Sequence, residues 1–455
     1  MGGLRAGGRA RRLEIAVVGS GISGLSAAWL LAQTHAVTVF EADGRIGGHS
    51  NTVDVFAGGA QIAVDTGFIV YNEPAYPNLT ALFAELGVLT DATEMSFAVS
   101  LESGGFEYAG SDLPGLLAQP GNLLKARFWA MLRDIRRFYR NAEGDVAQLG
   151  DVDLDTYLDR GGYSRAFRDD HLYPMAAAIW STPAMEVGRY PAQSFIRFCA
   201  NHGLLQITGR PVWRTVRGGS RAYVKRLTAP FADRLCRSTP AVCVRRDECG
   251  VEIVDGRGGK QRFDAVVLAC HGDTALRLLE TPSIDERRLL GAIRYTRNEA
   301  VLHGDTSFMP KRRAAWASWN YVAGRGDDAR QLSVTYWMNR LQRLGSAPPL
   351  FVTLNPVREP RPGTVLRTDV YEHPAFDLET LRAQKNLWSL QGRQNTWFCG
   401  AYFGAGFHED GLQAGLAVGE DLGGRKRPWQ VANDSGRIYR TPVVPSPHLA
   451  AEVLP

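Results

Sequence analysis

The stretch that decides the fold is LEIAVVGSGISGLSAAWLLAQTHAVTVFEADGRIGGH, residues 13–49. Ile15–Val18 is an apolar run typical of a buried parallel strand, and Leu25–Gln33 is rich in the alanine and leucine that favour a helix. Val37–Phe40 is a second apolar run, and it ends at Glu41. The order strand, helix, strand predicts a βαβ unit and therefore an α/β domain with a parallel, Rossmann-type sheet.

A glycine pattern follows the first predicted strand. Gly19, Gly21 and Gly24 form GxGxxG, in which the first glycine permits a tight turn, the second lets backbone approach a pyrophosphate, and the third lets the helix pack closely. The helix N-terminus adds a partial positive charge, Ser23 offers a hydroxyl, and Glu41 can accept from ribose hydroxyls. These residues predict a dinucleotide site; a βαβ unit with no ligand is the alternative.

The segment that begins at Glu41 indicates which dinucleotide is bound. Glu41, Arg45, Gly47, Gly48 and His49 resemble the E-x3-R-x-G-G-R signature of FAD proteins in the amine oxidase and phytoene desaturase superfamily, with histidine in place of the last arginine. The resemblance implies that the glycine pair runs beside the FAD pyrophosphate and that the basic side chains face it. Histidine is a weaker partner there because it is neutral for much of the physiological pH range.

Further cofactor residues are implied by this resemblance. Thr66, Gly67 and Phe68, in the segment IAVDTGF, fall where the superfamily chain passes the flavin ring, and Val242 falls where backbone contacts the adenine. The segment WFCGAYFGAGFHEDGLQAGLAVGEDL resembles the second FAD motif, a strand, a loop and a helix whose N-terminus points at the flavin ring. Its implied cofactor residues are Gly400, Phe407, His408, Asp410 and Gly411.

The run GFHEDG, residues 406–411, is the predicted loop beneath the flavin, before a helix over Gly411–Leu422. His408 is a candidate catalytic residue because it can exchange a proton near neutral pH; cofactor contact or packing is the alternative. Glu409 stands where the superfamily often has an acid, and a structural role is as open as a catalytic one. Asp410 is expected to cap the helix or to contact the cofactor.

The cofactor domain is predicted to be discontinuous, and the resemblance implies a substrate domain of mixed sheet and helical cap between its parts. The cofactor domain comprises 13–70, 214–294 and 387–423; the substrate domain comprises 71–213 and 295–386; the tails are a disordered basic 1–12 and an extended 424–455. Helices are expected at Leu123–Glu143 and Arg165–Ile179, and alternating strands in EAVLHGD, WASWNYV, LSVTYWM and PLFVTLN. Tyr71, Trp319, Tyr336 and Phe407 are candidates to line a substrate channel, with an aromatic core as the alternative.

Composition excludes several other classes of protein. The 455 residues are 45% hydrophobic and 22% charged, with a net charge of +5, as in ordinary globular proteins. No basic and aromatic interleaving suggests nucleic-acid binding, and no run approaches the roughly 18 apolar residues of a membrane span. The six cysteines show no metal-ligand spacing, and no signal peptide is evident, so we expect a cytoplasmic protein without a metal site.

Longer phrases narrow the resemblance within the superfamily. VDTGFIVYNEPAYPNLTALFAELGV, RPVWRTVRGGSRAYV and GFHEDG are similar to flavin-dependent proteins encoded beside bacterial cyclopropane fatty acid synthases, or fused to them in plants. That context implies a fatty acyl or phospholipid substrate, a cyclopropane-synthase-like methyltransferase as partner, and peripheral contact with the inner face of the membrane. Many amine oxidases hold a lysine near the flavin, whereas the corresponding strand here carries Asn298 and Glu299.

The leading hypothesis is therefore an FAD-dependent oxidoreductase that dehydrogenates an unsaturated or methyl-branched fatty acyl chain. Three alternatives remain: a double-bond isomerase, which needs no electron acceptor; an amine oxidase; and a flavin-bound module that holds a lipid methyltransferase and catalyses nothing. Fold likeness alone does not choose among them.

Overall fold

The computed structural model describes residues 11–181, 183–324, 333–345 and 347–443. The first ten residues of the expected basic tail lie outside this part; Arg11, within it, pairs its Nη2 with Asp264 Oδ1 at 2.9 Å. The chain divides into two compact units. Unit 1 comprises Met1–Gly48, Val224–Ala292 and Ala383–Pro455, and unit 2 comprises His49–Tyr223 and Ile293–Arg382.

The strands, in chain order, are β1 (Glu14–Val18), β2 (Ala36–Phe40), β3 (Thr52–Ala57), β4 (Ala60–Asp65), β5 (Tyr71–Asn72), β6 (Thr90–Thr93), β7 (Phe97–Leu101), β8 (Phe106–Ala109), β9 (Trp213–Val216), β10 (Leu235–Cys236), β11 (Ala241–Asp247), β12 (Gly250–Asp255), β13 (Lys260–Phe263), β14 (Ala265–Leu268), β15 (Arg294–His303), β16 (Trp319–Val322), β17 (Val334–Trp337), β18 (Phe351–Leu354), β19 (Val365–Ala375) and β20 (Thr396–Phe398).

The helices are α1 (Ile22–Leu31), α2 (Pro77–Glu85), α3 (Leu113–Leu116), α4 (Ala126–Asp145), α5 (Leu154–Arg160), α6 (Arg165–Phe167), α7 (Tyr173–Trp180), α8 (Ala184–Val187), α9 (Ala192–Asn201), α10 (Arg221–Thr228), α11 (Gly272–Leu278), α12 (Ile284–Gly291), α13 (Met338–Leu341), α14 (Leu378–Leu387) and α15 (His408–Asp421). A π-helical turn, Arg168–Leu172, joins α6 to α7.

Unit 1 is built on a parallel sheet with the strand order β10-β2-β1-β14-β20. β1 lies at its centre and pairs in parallel with β2 on one side and β14 on the other. Ile15, Ala16 and Val17 are fully buried, as a strand covered on both faces requires. The predicted βαβ unit is thereby confirmed, and an antiparallel sheet β11-β12-β13 completes the strands of this unit.

Helices α1 and α15 pack side by side along glycines. An added Cβ at Gly415 would lie 2.1 Å from Ser23 O, and one at Gly411 would lie 3.0 Å from Ile22 Cγ2. Gly419, one turn further on, would place a Cβ 3.2 Å from Leu30 Cβ. Because these three glycines are four residues apart, they form one stripe along α15. The stripe brings the backbones together and sets the N-terminus of α15 beside that of α1.

The C-terminal segment is irregular, as expected, but it packs against α15. Arg427 is buried, and its Nε lies 2.7 Å from Glu420 Oε1. Trp429 stacks on Trp29 of α1 at 5.9 Å between ring centroids. These contacts place residues 424–443 within unit 1 rather than as a separate tail; the remainder of the expected tail, 444–455, lies outside the described residues.

Unit 2 contains a mixed sheet with the strand order β19-β15-β18-β17-β16-β7-β8. Its neighbours pair antiparallel except β16 and β7, which run parallel. Two smaller sheets, β3-β4 and β5-β9-β6, lie in the same unit. The mixed sheet and its helices agree with the predicted substrate domain, although residues 49–70 and 214–223 group with unit 2 and not with the cofactor unit.

Two predicted helices differ in detail from the structure. Leu123–Glu143 is broken at Lys125, whose extended backbone (φ −99°, ψ 119°) separates a 3-10 turn from α4. The helix predicted over Gly411–Leu422 starts three residues earlier, at His408. In the described residues, no helix is both long enough and apolar enough to cross a membrane.

The glycine stripe predicts that a glycine-to-alanine substitution changes the free energy of unfolding in opposite directions inside and outside the stripe. Gly415→Ala is expected to lower the free energy of unfolding by about 3 kcal/mol, because the new methyl group overlaps Ser23 O. Gly144→Ala in α4 is the matched control: its Cβ would meet no atom within 4 Å, so we expect a gain of about 0.5–1 kcal/mol. Chemical denaturation of the apo-proteins measures both. Equal effects of the two mutations would contradict the stripe.

Candidate functional site

The turn between β1 and α1 has the geometry expected of a phosphate-binding loop. Gly19 has φ +105° and donates its N–H to Phe40 O at 2.9 Å. A Cβ at Gly24 would lie 2.0 Å from Gly19 O, so only glycine lets the helix start this close to the strand. Gly21 precedes α1, and no side chain caps the helix there. The partial positive charge of the helix N-terminus therefore faces this loop.

The acid at the end of β2 is held by the same loop. Glu41 Oε2 accepts from Ser20 N at 3.0 Å and from Ser20 Oγ at 2.5 Å, and Oε1 accepts from Asp43 N at 2.9 Å. Ser20 Oγ in turn accepts from Gly47 N at 3.2 Å. Ser20, which is not among the predicted site residues, thus connects the glycine loop to the second glycine pair.

The two glycine segments approach each other around open space. A Cβ at Gly48, which has φ +56°, would lie 3.0 Å from Gly21 Cα. A Cβ at Gly21 would meet no atom within 4 Å. Arg45 lies beside this pair and donates from Nη1 to Gly48 O at 2.6 Å. The space in front of Gly21 is therefore a cradle that a side chain would fill.

The second predicted motif lies in unit 1 as well. β20 ends at Phe398, and the loop after it is held by Gln384, whose Nε2 donates to Tyr402 O at 2.8 Å and to Gly404 O at 2.6 Å. Asp410 caps the start of α15, as predicted, but from the third position of the helix and not from the residue before it. Its carboxylate accepts from Phe407 N at 2.8 Å, at the residue before the helix, as the N3 acid of a capping box does.

The predicted loop GFHEDG is therefore mostly helix. His408 is buried, and burial lowers its pKa to about 3, so the ring is neutral throughout the physiological range. Burial therefore disfavours the predicted proton exchange of His408 near neutral pH. That role, and the alternative of contact with the cofactor as a neutral ring, both stay predictions. Glu409, fully buried, accepts from Gln413 Nε2 at 3.0 Å, which favours a structural role.

An arginine from the C-terminal segment reaches the first turn of α15. Arg437 Nη1 lies 3.4 Å from Asp410 Oδ1, and Arg437 N donates to Gln413 Oε1 at 3.0 Å. Burial raises the pKa of Asp410, and Arg437 acts in the opposite direction. Asp410 is thus partnered by an arginine from a separate segment of the chain, whereas Glu409 is held by Gln413 one turn further along the same helix.

Val242 lies at an irregularity in β11. The register of β11 against β12 shifts between Ala241 and Cys243, so Val242 is the extra residue of a bulge. Its side chain is 51% exposed, and its backbone is outside the regular ladder. A backbone contact to an adenine stays a prediction, and the bulge is compatible with it.

The other predicted cofactor residues belong to unit 2. Phe68 N donates to His49 O at 2.7 Å, and a Cβ at Gly67 would lie 2.2 Å from that oxygen. Thr66 Oγ1 hydrogen-bonds Tyr371 OH at 2.7 Å, and the His49 and Tyr371 rings are 5.0 Å apart. The structure therefore brings His49, Thr66, Gly67 and Phe68 together, beside a tyrosine that the sequence did not point to.

Asp65, at the start of the DTGF segment, is a buried connection within unit 2. Its carboxylate accepts from Ser220 N at 2.9 Å, from Thr52 Oγ1 at 2.6 Å and from Gln342 Nε2 at 2.8 Å. Burial raises the pKa of Asp65 to about 6. These bonds tie β4 to β3, to the start of α10 and to the residue after α13.

The predicted substrate-lining aromatics have different surroundings. Tyr71 is buried, and its ring lies 5.4 Å from that of Phe83, which favours the aromatic-core alternative. Trp319 and Tyr336 face each other at 5.2 Å on neighbouring strands of the mixed sheet. Phe407 lies in unit 1, directly before α15.

Comparisons with known proteins bear on this arrangement. Residues 22–312 match the family model described as flavin containing amine oxidoreductase. A redesigned putrescine oxidase is 17% identical with a TM-score of 0.64, covering 90% of this chain and 99% of its own. The fatty acid isomerase of P. acnes that produces CLA is 16% identical with a TM-score of 0.64, covering 90% and 97%. Cyclohexylamine oxidase from Brevibacterium oxydans IH-35A is 16% identical with a TM-score of 0.61, covering 90% and 100%.

At these identities the structural likenesses show the fold alone, and no curated protein matches the chain. The fold they share is the predicted one, a parallel-sheet domain with a mixed-sheet domain. Unit 1 also fits FAD by its own geometry. The open cradle at Gly21 and the positive φ angles of Gly19 and Gly48 suit a pyrophosphate, and the carboxylate of Glu41 suits a ribose. The two adjacent helix N-termini suit the pyrophosphate and a flavin ring that gains negative charge.

A pair of glycine substitutions tests the cradle. Gly21→Ala is expected to leave the stability of the apo-protein unchanged but to weaken FAD binding at least tenfold, because the methyl group enters only the open space. Gly24→Ala is expected to destabilise the apo-protein itself, because its Cβ overlaps Gly19 O. Flavin absorbance after gel filtration and thermal unfolding of the apo-proteins separate the two. Full FAD retention by Gly21→Ala would rule the cradle out.

The buried His408 predicts a pH effect on stability. In the unfolded state the His408 ring binds a proton below about pH 6.5, whereas in the folded state it does so only near pH 3. Because the unfolded state binds the extra proton between these values, the free energy of unfolding falls as pH decreases through this window. Between pH 7 and pH 5 we expect wild-type apo-protein to lose about 1–2 kcal/mol more than His408→Gln. Denaturant unfolding at the two pH values measures the difference. Parallel losses in both proteins would show that burial does not suppress this protonation.

Proposed function

The chain belongs to the flavin containing amine oxidoreductase family, and from that premise we propose that this FAD-dependent oxidoreductase acts on fatty acyl chains, dehydrogenating an unsaturated or methyl-branched chain. The observation that carries the proposal is that the buried carboxylates of unit 2 already have hydrogen-bond or ion-pair partners within the protein. An amine substrate is a cation in solution, and a carboxylate that has no other partner binds it best. An acyl chain is neutral and apolar, and it needs no such carboxylate.

The buried acids of unit 2 are committed to other partners. Among its described residues they are Asp65, Glu107, Asp134, Asp170 and Asp305. Arg312 Nη1 lies 2.9 Å from Glu107, Arg361 Nη2 lies 2.8 Å from Asp305, and Arg127 pairs with Asp170. Asp134 lies 3.5 Å from each of two arginines, and Asp65 has its set of neutral donors. A substrate ammonium would have to break one of these sets.

The strand in which the resemblance to amine oxidases would place a lysine carries a buried amide network. Asn298 Nδ2 lies 3.0 Å from His373 Nδ1, and Asn298 Oδ1 accepts from Asn355 Nδ2 at 2.7 Å. An asparagine cannot supply the cationic group or the proton transfer that a lysine offers. This substitution supports chemistry different from that of simple amine oxidation.

The aromatic pair on the mixed sheet supports an apolar ligand. Trp319 Nε1 is buried, and it has no hydrogen-bond partner among the described residues. Tyr336 is buried, with its OH donating to Ala178 O at 3.3 Å. The two rings offer apolar contact area, as an acyl channel requires, whereas the unpaired indole N–H is a donor that a ligand oxygen or a water would satisfy.

Dehydrogenation removes a hydride and a proton from adjacent carbons of the chain and leaves one new double bond. Bound FAD supplies the two-electron acceptor; a protein group or water must take the proton. The supply of the substrate by a cyclopropane-synthase-like methyltransferase is part of the proposal and rests on the sequence resemblance alone.

The proposal is tested by anaerobic mixing of the FAD-loaded protein with unsaturated or methyl-branched acyl phospholipids, with the free acids, and with putrescine. Loss of the oxidised flavin absorbance with an acyl substrate, together with a product two hydrogens lighter by mass spectrometry, is expected. Reduction by putrescine alone would replace the proposal with amine oxidation. A product of unchanged mass with a shifted double bond would indicate isomerisation, and no response to any substrate would favour a non-catalytic module.

A variant links the activity to unit 2. Trp319→Leu is expected to retain FAD. We expect it to change at least threefold either the rate of flavin reduction at saturating substrate or the substrate concentration that gives half of that rate. Trp429→Leu is the control, because Trp429 stacks on Trp29 within unit 1. Identical reduction kinetics for both variants and the wild type would remove Trp319 from the substrate path.

A further inference from the structure

A patch of exposed apolar and basic side chains lies along the start and the outer face of α4 in unit 2. Its members share high exposure and lie within eighteen residues of each other. The α4 patch consists of Leu123, Leu124, Trp129, Arg133, Arg136 and Arg140. Leu124 is 93% exposed and Trp129 is 54% exposed, which is unusual for large apolar side chains.

Helix geometry aligns the patch on one side of α4. Positions 129, 133, 136 and 140 are four, three and four residues apart, so their side chains lie on one face. The opposite face carries Phe128, Met131 and Phe138, which are buried. The core of unit 2 therefore orients the helix so that tryptophan and three arginines face solvent.

The charges of the patch are poorly neutralised. Within the described part of the chain, no carboxylate lies within ion-pair distance of Arg136 or Arg140; Arg140 Nε donates to Asn141 Oδ1 at 3.2 Å. Arg133 approaches only Asp134, at 3.5 Å, and shares it with Arg137. By contrast, Arg127, on the same helix, is paired with both Glu102 and Asp170.

The one polar group in the apolar part of the patch, the indole N–H of Trp129, already has a hydrogen-bond partner. Trp129 Nε1 donates to Leu123 O at 2.9 Å, which ties the indole ring to the turn that carries both leucines. The ring and the two leucine side chains therefore form one apolar surface next to the arginine row. An apolar tip beside cations that have few or no anionic partners is the composition of proteins that lie at a lipid interface.

We propose that the α4 patch docks this protein on an anionic lipid surface. Leu124 and Trp129 enter the boundary between headgroups and acyl chains, and Arg133, Arg136 and Arg140 meet lipid phosphates. Charge complementarity selects this partner: the arginines require anions, and the exposed leucine and tryptophan require an apolar phase, which nucleic acid does not offer. The docking holds whatever the substrate is, so it does not depend on the proposed function.

Vesicle cosedimentation of the FAD-loaded protein tests the patch. We expect binding to vesicles of phosphatidylglycerol mixed with phosphatidylcholine, little binding to phosphatidylcholine alone, and weaker binding as salt increases. Arg136→Gln with Arg140→Gln is expected to weaken partitioning about 30-fold, since each basic residue contributes roughly fivefold. The charge-matched control is Arg425→Gln with Lys426→Gln, which removes two exposed cations from unit 1.

The apolar contribution is tested separately. Leu124→Ser is expected to weaken binding to the mixed vesicles at least threefold, whereas Ile284→Ser, at a position 84% exposed in α12, is expected to change nothing. Thermal unfolding checks that all variants are folded. The proposal is overturned if the wild type stays in the supernatant with anionic vesicles, if it binds neutral vesicles equally, or if the control variants lose as much binding as the patch variants.

Discussion

The close approach of α1 and α15 is the constraint on which unit 1 depends. Gly411, Gly415 and Gly419 remove the side chains that would otherwise hold the helices apart, and α1 meets them with Ser23 and Leu30 among its contacts. Packing at this distance sets both helix N-termini side by side. Two partial positive charges then act at the same edge of the parallel sheet, where a dinucleotide carries its negative groups.

Placing the start of α15 there has electrostatic consequences. Glu409 and Asp410 occupy its first turn and are fully buried, so each needs a partner within the protein. Gln413 and the backbone of Phe407 supply neutral donors, and Arg437 supplies a cation from outside the helix. The C-terminal segment is thus part of the cofactor unit, since without it the acids would lie beside the helix N-terminus with less compensation.

The residues that fit the flavin and the residues on which the proposed substrate rests lie in different parts of the molecule. The glycine loop, the acid after β2 and the second helix are features of flavin binding that suit many substrates. The features on which the proposed substrate rests are in unit 2: buried carboxylates that already have hydrogen-bond or ion-pair partners, Asn298 in a buried amide network, and the facing rings of Trp319 and Tyr336. These features favour a neutral, apolar ligand on a fold shared with amine oxidases, and the exposed α4 patch supplies chemistry suited to a lipid surface.

The sequence by itself determined the βαβ unit and its glycine loop, because turns, strand periodicity and glycine spacing act over a few residues. The FAD signature that begins at Glu41 and the discontinuous order of the two domains came from the resemblance to a known superfamily. Only the tertiary structure decided that α15 begins at His408, that burial keeps this histidine neutral, and that Ser20, Gln384 and Arg437 organise the cofactor loops. Burial and partners of this kind arise from segments far apart in the chain, and no local pattern encodes which distant side chain will fill the space.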